Sequence, residues 1–158
     1  MKGLRKKAVV LAAVAALAMS SLAGCSRDFT VDNNKVAAVV GDSEITLGVL
    51  NFYVRYDQIG FESYYGSYFG DNLWRVEVSE GVTLAESEKE AAIDVISQAY
   101  ILEDHMSEYG VEITAEDVAK FEAVADKFIE ANGEEACALI SATKENIVEV
   151  LRLYEINA

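Results

Sequence analysis

Four helix starts are written into this chain, and with no proline anywhere its backbone can run uninterrupted between them. The clearest is Thr83-Leu84-Ala85-Glu86, a capping box in which hydroxyl and carboxylate satisfy orphan amide groups reciprocally. It opens a helix whose apolar positions Ala92, Val95/Ile96, Ala99, Leu102, Met106 and Tyr109 recur at helical spacing, stopped by Gly110. Thr46 is an N-cap for a helix from Leu47 to about Ile59, with Gly60 as an interruption and more helix to about Tyr68. Thr114 precedes a third helix with Glu116 and Asp117 in its positive-dipole first turn. That helix presents Val118, Phe121, Ala125 and Phe128 and ends at Asn132-Gly133. A short helix is expected over about 134–140, and a last one, capped by Ser141 or Thr143, carries Ile147, Val150/Leu151 and Tyr154. Upstream, Val36-Ala37-Ala38-Val39-Val40 is a β-prone run ended by Gly41-Asp42-Ser43, with Glu44-Ile45-Thr46 beyond it. Residues 70–82 read as a linker. The fold class expected is mainly α: a small domain of about four to five helices with a short N-terminal β element, over residues 36–158.

The chain begins differently. Lys2, Arg5, Lys6 and Lys7 precede an apolar stretch from Ala8 to Ala18, and Leu22-Ala23-Gly24-Cys25 closes it. A basic start, an apolar middle and small residues before a cut define a secretory signal. The quartet resembles the lipobox of bacterial lipoproteins, in which the cysteine is diacylated on sulfur and the signal is cut just before it. A transmembrane anchor is the competing reading, but the apolar run is about 11 to 16 residues against roughly 20 needed to span. The resemblance implies a signal over residues 1–24, lipid on Cys25, a polar tether over 25–35, and an extracytoplasmic location on the bacterial cell membrane. Cys25→Ser is then expected to leave the precursor uncleaved. Equal fatty-acid label in wild type and Cys25→Ser would disprove the anchor.

The signal carries four of the 13 basic residues and no acid, so residues 25–158 hold nine Lys+Arg against 27 Asp+Glu, a formal charge near −18. Nucleic-acid binding needs a basic face, so it is excluded, and peripheral binding to anionic lipid is disfavoured. Such a charge favours neutral or basic partners. With Cys25 lipidated, Cys137 has no partner in the chain and reads as a small buried apolar residue; no basic cluster nearby makes it a reactive thiol.

Catalytic constellations are poorly supplied. The single histidine, His105, lies beside Glu103-Asp104 and reads as a salt-bridged or solvated surface residue. No histidine pair for zinc, no Gly-rich phosphate loop, no calcium loop and no G-x-S-x-G is present, and no cofactor is implied. The 27 carboxylates could hold a glycosidase pair, but they are scattered along helix faces as solubilising charge. One segment stands apart. Phe52, Tyr53, Tyr56, Phe61, Tyr64, Tyr65, Tyr68, Phe69 and Trp74 fall within residues 52–74. Phe52, Phe69 and Trp74 are expected in the core. Tyr56, Tyr64, Tyr65 and Tyr68 lie among Gly60, Gly66 and Gly70 and are the candidate peptide-binding residues, since tyrosine joins a large apolar face to a polar tip.

The order of features carries a second resemblance. After the lipobox and tether comes Val36-Ala37-Ala38-Val39-Val40-Gly41-Asp42-Ser43-Glu44-Ile45-Thr46-Leu47, then Gly81-Val82-Thr83-Leu84 before one long helix and Tyr109-Gly110-Val111-Glu112-Ile113-Thr114 before the next. Over residues 36–156 this resembles the SurA/PrsA N-terminal chaperone domain, related to the trigger-factor chaperone region. In that family the helical domain cradles unfolded chains, and a parvulin-type prolyl isomerase domain with paired histidines is usually inserted before a final helix. This chain has one histidine, so the resemblance implies chaperone-like binding and does not imply isomerase activity. Ile147 to Ile156 stays amphipathic without a C-cap glycine, which reads either as a missing closing helix or as a frayed terminus. On the first reading, Ile147, Val150, Leu151 and Tyr154, with part of Val95–Leu102, are expected to face solvent or a partner. Marginal stability or a homodimer would follow. The leading functional expectation is a lipid-anchored foldase module binding unfolded secreted polypeptides. A scaffold subunit binding one folded partner is the alternative, and a small hydrolase the third.

Overall fold

The computed structural model describes residues 31–158. Cys25 and the signal lie outside the described residues. The chain forms a mainly α domain with five α-helices and two short hairpins among the described residues.

The first hairpin pairs β1 (Val36–Val40) with β2 (Ser43–Thr46) antiparallel, Val40 opposite Ser43 and Val36 opposite Thr46, with a bulge between Val36 and Ala38. Its turn needs a left-handed residue, and Gly41 supplies φ +60°. Val40 and Ile45 point into the core. The end of the expected tether is docked rather than free: the Asn33 and Lys35 carbonyls accept from the first amides of the following helix, those of Gly48 and Leu47. Those amides are orphans that a helix start must satisfy, which is why the tether ends here.

Helix α1 (Leu47–Phe69) is capped by Thr46, whose Oγ1 accepts from the Val49 amide. It is continuous through Gly60, where an interruption was expected. A glycine inside a helix costs only about 1 kcal/mol relative to alanine, and the intact turns on either side offset it. Residues 70–82 are ordered as well. A 3₁₀ turn over Gly70–Arg75 buries Leu73 and packs against α1 and the next helix. A hairpin of β3 (Glu77–Ser79) and β4 (Val82–Thr83) follows. Helix α2 (Leu84–Met106) starts at the expected Thr83–Glu86 capping box, both arms of which are made, and Gly110 in the left-handed region ends the turn after it. Helix α3 (Ala115–Asn132) has a second capping box, Thr114 with Asp117. Helix α4 (Glu134–Leu139) buries Cys137, and α5 (Lys144–Asn157) is capped by Thr143.

Helix α5 is the centre of the bundle and packs against α1, α2 and α3. Its Ile147, Val150 and Leu153 are buried, Leu151 is half-buried, and Tyr154 is the one apolar member of the stripe that reaches the surface. The α5 part of the surface expected to lie open is therefore mostly covered by three helices, while Tyr154 and, on α2, Val95, Ile101 and Leu102 are exposed as expected. Ile96 and Ala99 of α2 and Ala125 of α3 meet α5 in a core that also takes Val49, Leu50 and Phe52 of α1. The α2 stripe is corrected too. Tyr100 is buried where Leu102 was expected, while Leu102 and Tyr109 are exposed.

One polar knot ties α1 to the α4–α5 connection. Ser141 is buried with φ 57°, a strained conformation for a non-glycine residue. Its Oγ accepts from Asn51 Nδ2 (2.9 Å) and its carbonyl from Asn146 Nδ2 (2.8 Å), so the knot's own hydrogen bonds hold the strain.

Candidate functional site

All buried residues of α1 lie in its first two turns: Gly48, Val49, Leu50, Phe52 and Tyr53. The remaining turns bury none, yet they are the most aromatic part of the chain. A helix rises 1.5 Å per residue, so the run from Val54 to Phe69 is an arm of about 24 Å. The four candidate tyrosines are all exposed there, Tyr64 at 73% and Tyr68 at 81%.

They do not form one patch. Tyr56 leans on Phe52 and on Phe128 of α3, with ring centroids 6.0 and 6.4 Å away. At about 100° per residue it faces away from Phe61 and Tyr65. Tyr64 and Tyr65 meet edge to face at 5.0 Å, Tyr65 and Phe61 at 5.9 Å, and Phe61 and Trp74 at 6.0 Å. Tyr68 sits one turn beyond Tyr64 and Tyr65 on the same side. The platform is thus Phe61, Tyr64, Tyr65, Tyr68 and Trp74, with Phe69 exposed at its end. Phe69 was expected in the core. It lies at the last turn of α1, before Gly70 turns the chain away, so no neighbour covers it. The glycine proximity that marked the tyrosines applied equally to Phe69. Trp74 is half-buried rather than core, and its position comes from the 3₁₀ turn in which Leu73 is the buried plug.

Glu62 fastens this arrangement. Its Oε1 accepts from Trp74 Nε1 at 2.7 Å and from Gln58 Nε2 at 2.8 Å. Sequence spacing did not single out Glu62, because its partner is twelve positions away through an irregular turn.

Two further groups of polar side chains lie nearer the core. Tyr100 donates to Glu149 (2.5 Å), and Arg152 binds Glu149 through two nitrogens (2.6 and 2.9 Å) and also pairs with Glu103. Burial pushes the Glu149 carboxyl up, but hydrogen bonds from Arg152 and Tyr100 outweigh it and leave the group below its ordinary range. Every member has a partner, so the cluster reads as a clamp between α2 and α5.

The other group surrounds the stacked rings of Tyr53 and Tyr154, centroids 5.5 Å apart. Burial, with Tyr53 and Asp57 beside it, holds the Tyr154 hydroxyl above the usual tyrosine range. Burial raises Asp57, and burial together with Asp57 raises Glu88. A carboxylate raised on folding binds more protons folded than unfolded between its two pKa values, so stability falls as pH climbs through that window. Asp57→Asn is therefore expected to raise the melting temperature at pH 7 and to leave it unchanged below about pH 3, where both states are protonated. Melting curves at the two pH values check this.

His105 is exposed, with Nδ1 2.8 Å from Glu108, as expected of a surface histidine. Hydrogen bonding to Glu108 raises its pKa. Among the described residues no three His, Cys, Asp or Glu side chains are grouped to hold a metal ion, and no helix is long and apolar enough to cross a membrane. Comparisons with protein-family models, with curated proteins and with solved structures found no match.

Proposed function

We propose that this chain is a lipid-anchored, extracytoplasmic module that holds unfolded secreted polypeptides on the aromatic end of α1, without prolyl isomerase activity. The observation that carries the reading is the platform itself: Phe61, Tyr64, Tyr65 and Tyr68 on the outer turns of α1, where no residue is fully buried, extended by the ring of Trp74. Contiguous exposed apolar surface on a soluble domain marks an interaction site. Tyrosine and tryptophan suit variable sequences because they offer large rigid faces with few rotamers to freeze. The lipobox at Leu22–Cys25 supports the anchor, and the likeness of residues 36–156 to the SurA/PrsA helical domain supports polypeptides as the ligand class.

The test is a titration with several unrelated, permanently unfolded polypeptides. Wild type is expected to bind each of them at about micromolar strength, near −8 kcal/mol. Tyr64 and Tyr68 as anchors contribute upward of about 1 kcal/mol each, so Tyr64→Ser with Tyr68→Ser should weaken binding about 30-fold. Helical circular dichroism should not change, since neither side chain is packed in the core. A wild type that binds none of the polypeptides, or a double variant that binds as tightly, refutes the proposal.

A further inference from the structure

The platform carries a charge as well as rings. Glu62 stands among them, its Oε1 occupied by Trp74 and Gln58, and among the described residues no cationic side chain lies within 4 Å of its carboxylate. From Arg55 to Glu80 the chain holds Asp57, Asp71, Glu77 and Glu80 besides Glu62, against two cations: Arg75, and Arg55, whose guanidinium reaches Gln58 and not the Glu62 carboxylate itself. The faces of Trp74, Tyr65 and Phe61 add the negative side of their ring quadrupoles. Carboxylate and ring face both attract a cation and both repel an anion, whereas an uncharged apolar side chain gains from the rings alone.

Resting on the polypeptide-binding reading above, we infer that the Glu62–Trp74 end of this platform takes a cationic side chain of the bound polypeptide, the ammonium of lysine or the guanidinium of arginine. Segments in which lysine or arginine stands next to aromatic or aliphatic residues are then the preferred ligands. The apolar neighbour lies on Tyr64, Tyr65 and Tyr68, and the cation sits over Trp74 beside Glu62. A second copy of the chain is the less suited occupant, because it brings its own large negative charge to the same surface.

Trp74 is the only tryptophan in the chain, so its fluorescence reports on this end of the platform directly. The experiment titrates the protein with three peptides of equal length and equal leucine and phenylalanine content, carrying lysine, serine or glutamate at the remaining positions. The lysine peptide is expected to bind at least about fivefold more tightly than the serine peptide, the glutamate peptide most weakly, each with a change in Trp74 emission. Glu62→Gln keeps an acceptor for Trp74 Nε1 but removes the charge. It should abolish most of the lysine preference, read as the ratio of the lysine peptide's affinity to the serine peptide's for the same variant. Glu112→Gln, exposed and remote in sequence, should leave the preference intact. If the glutamate peptide binds as well as the lysine peptide, the selectivity fails while polypeptide binding stands. If Glu62→Gln and Glu112→Gln reduce the preference equally, the overall field and not this site is responsible, and the inference fails. If no peptide binds, or if Tyr68→Ala breaks a dimer seen without peptide, the platform has another occupant and both readings fail.

Discussion

Gly48→Ala is expected to destabilise the domain by about 2–4 kcal/mol, whereas Gly60→Ala in the same helix is expected to stabilise it by about 0.5–1 kcal/mol. Ordinarily alanine is the better helix former at either position. A Cβ on Gly60 meets nothing within 4 Å, so the propensity gain stands alone. A Cβ on Gly48 would lie 2.6 Å from Asn146 Nδ2 and 2.9 Å from the backbone oxygen of Asn33. Asn146 cannot swing aside freely, because its Nδ2 donates to the strained Ser141. Asn33 cannot retreat without losing the hydrogen bond its carbonyl accepts from the Gly48 amide (3.1 Å). Overpacking costs about 1–3 kcal/mol and a broken hydrogen bond about 1 more. At roughly 3–4 °C per kcal/mol for a domain of this size, Gly48→Ala should melt about 6–15 °C lower. Thermal melts of the two variants side by side decide it, and a Gly48→Ala melt equal to wild type would show that the knot yields.

Arg152→Met should be the other severe change, costing about 2–4 kcal/mol at neutral pH, somewhat less than the 3–5 kcal/mol or so of breaking a fully buried pair. The smaller figure reflects the residual exposure of the Arg152 and Glu149 side chains, 17% and 26%. The loss comes less from the missing bonds than from Glu149, which stays half-buried with only Tyr100 as a donor. The pH dependence has the same origin. In wild type the Glu149 pKa is depressed, so its contribution is present above the unfolded value and fades as pH falls through the folded one. In the variant burial is opposed only by the Tyr100 hydrogen bond and the pKa rises relative to wild type, so acid relieves the folded state. The gap between the two proteins should narrow from pH 7 toward pH 4, by urea denaturation at each pH. A gap that does not change with pH would place the cost in lost packing of the arginine stem.

The residues of the candidate site were legible to different degrees. Tyr64, Tyr65 and Tyr68 could be read as exposed because glycines surround them and a core face tolerates few such gaps. Tyr56 could be read as exposed, but its separation from Phe61 and Tyr65 follows from helical spacing only once α1 runs unbroken through Gly60, and its contact with Phe128 of α3 is a tertiary one. Trp74 and Glu62 could not be joined on paper. Their contact runs through a 3₁₀ turn, and no periodicity predicts where such a turn points.

The same division runs through the fold. The helix starts at Thr46, Thr83 and Thr114 and the turn at Gly41 were determined by the sequence, because a cap or a tight turn closes its hydrogen bonds within about four residues; for the last helix the sequence offered Ser141 or Thr143, and the fold uses Thr143. So was the mainly α class. Which side of each helix is buried was decided only in three dimensions. Tyr100 is buried and Leu102 exposed because Glu149 and Arg152 of α5 stand beside the first and no element covers the second. Ile147 and Val150 look like an unpartnered stripe in sequence and prove to be the middle of the core. Burial of an apolar side chain stabilises it by about the same amount whatever it packs against. A local pattern therefore shows that a face seeks cover, and only the packing of distant helices decides which faces find it.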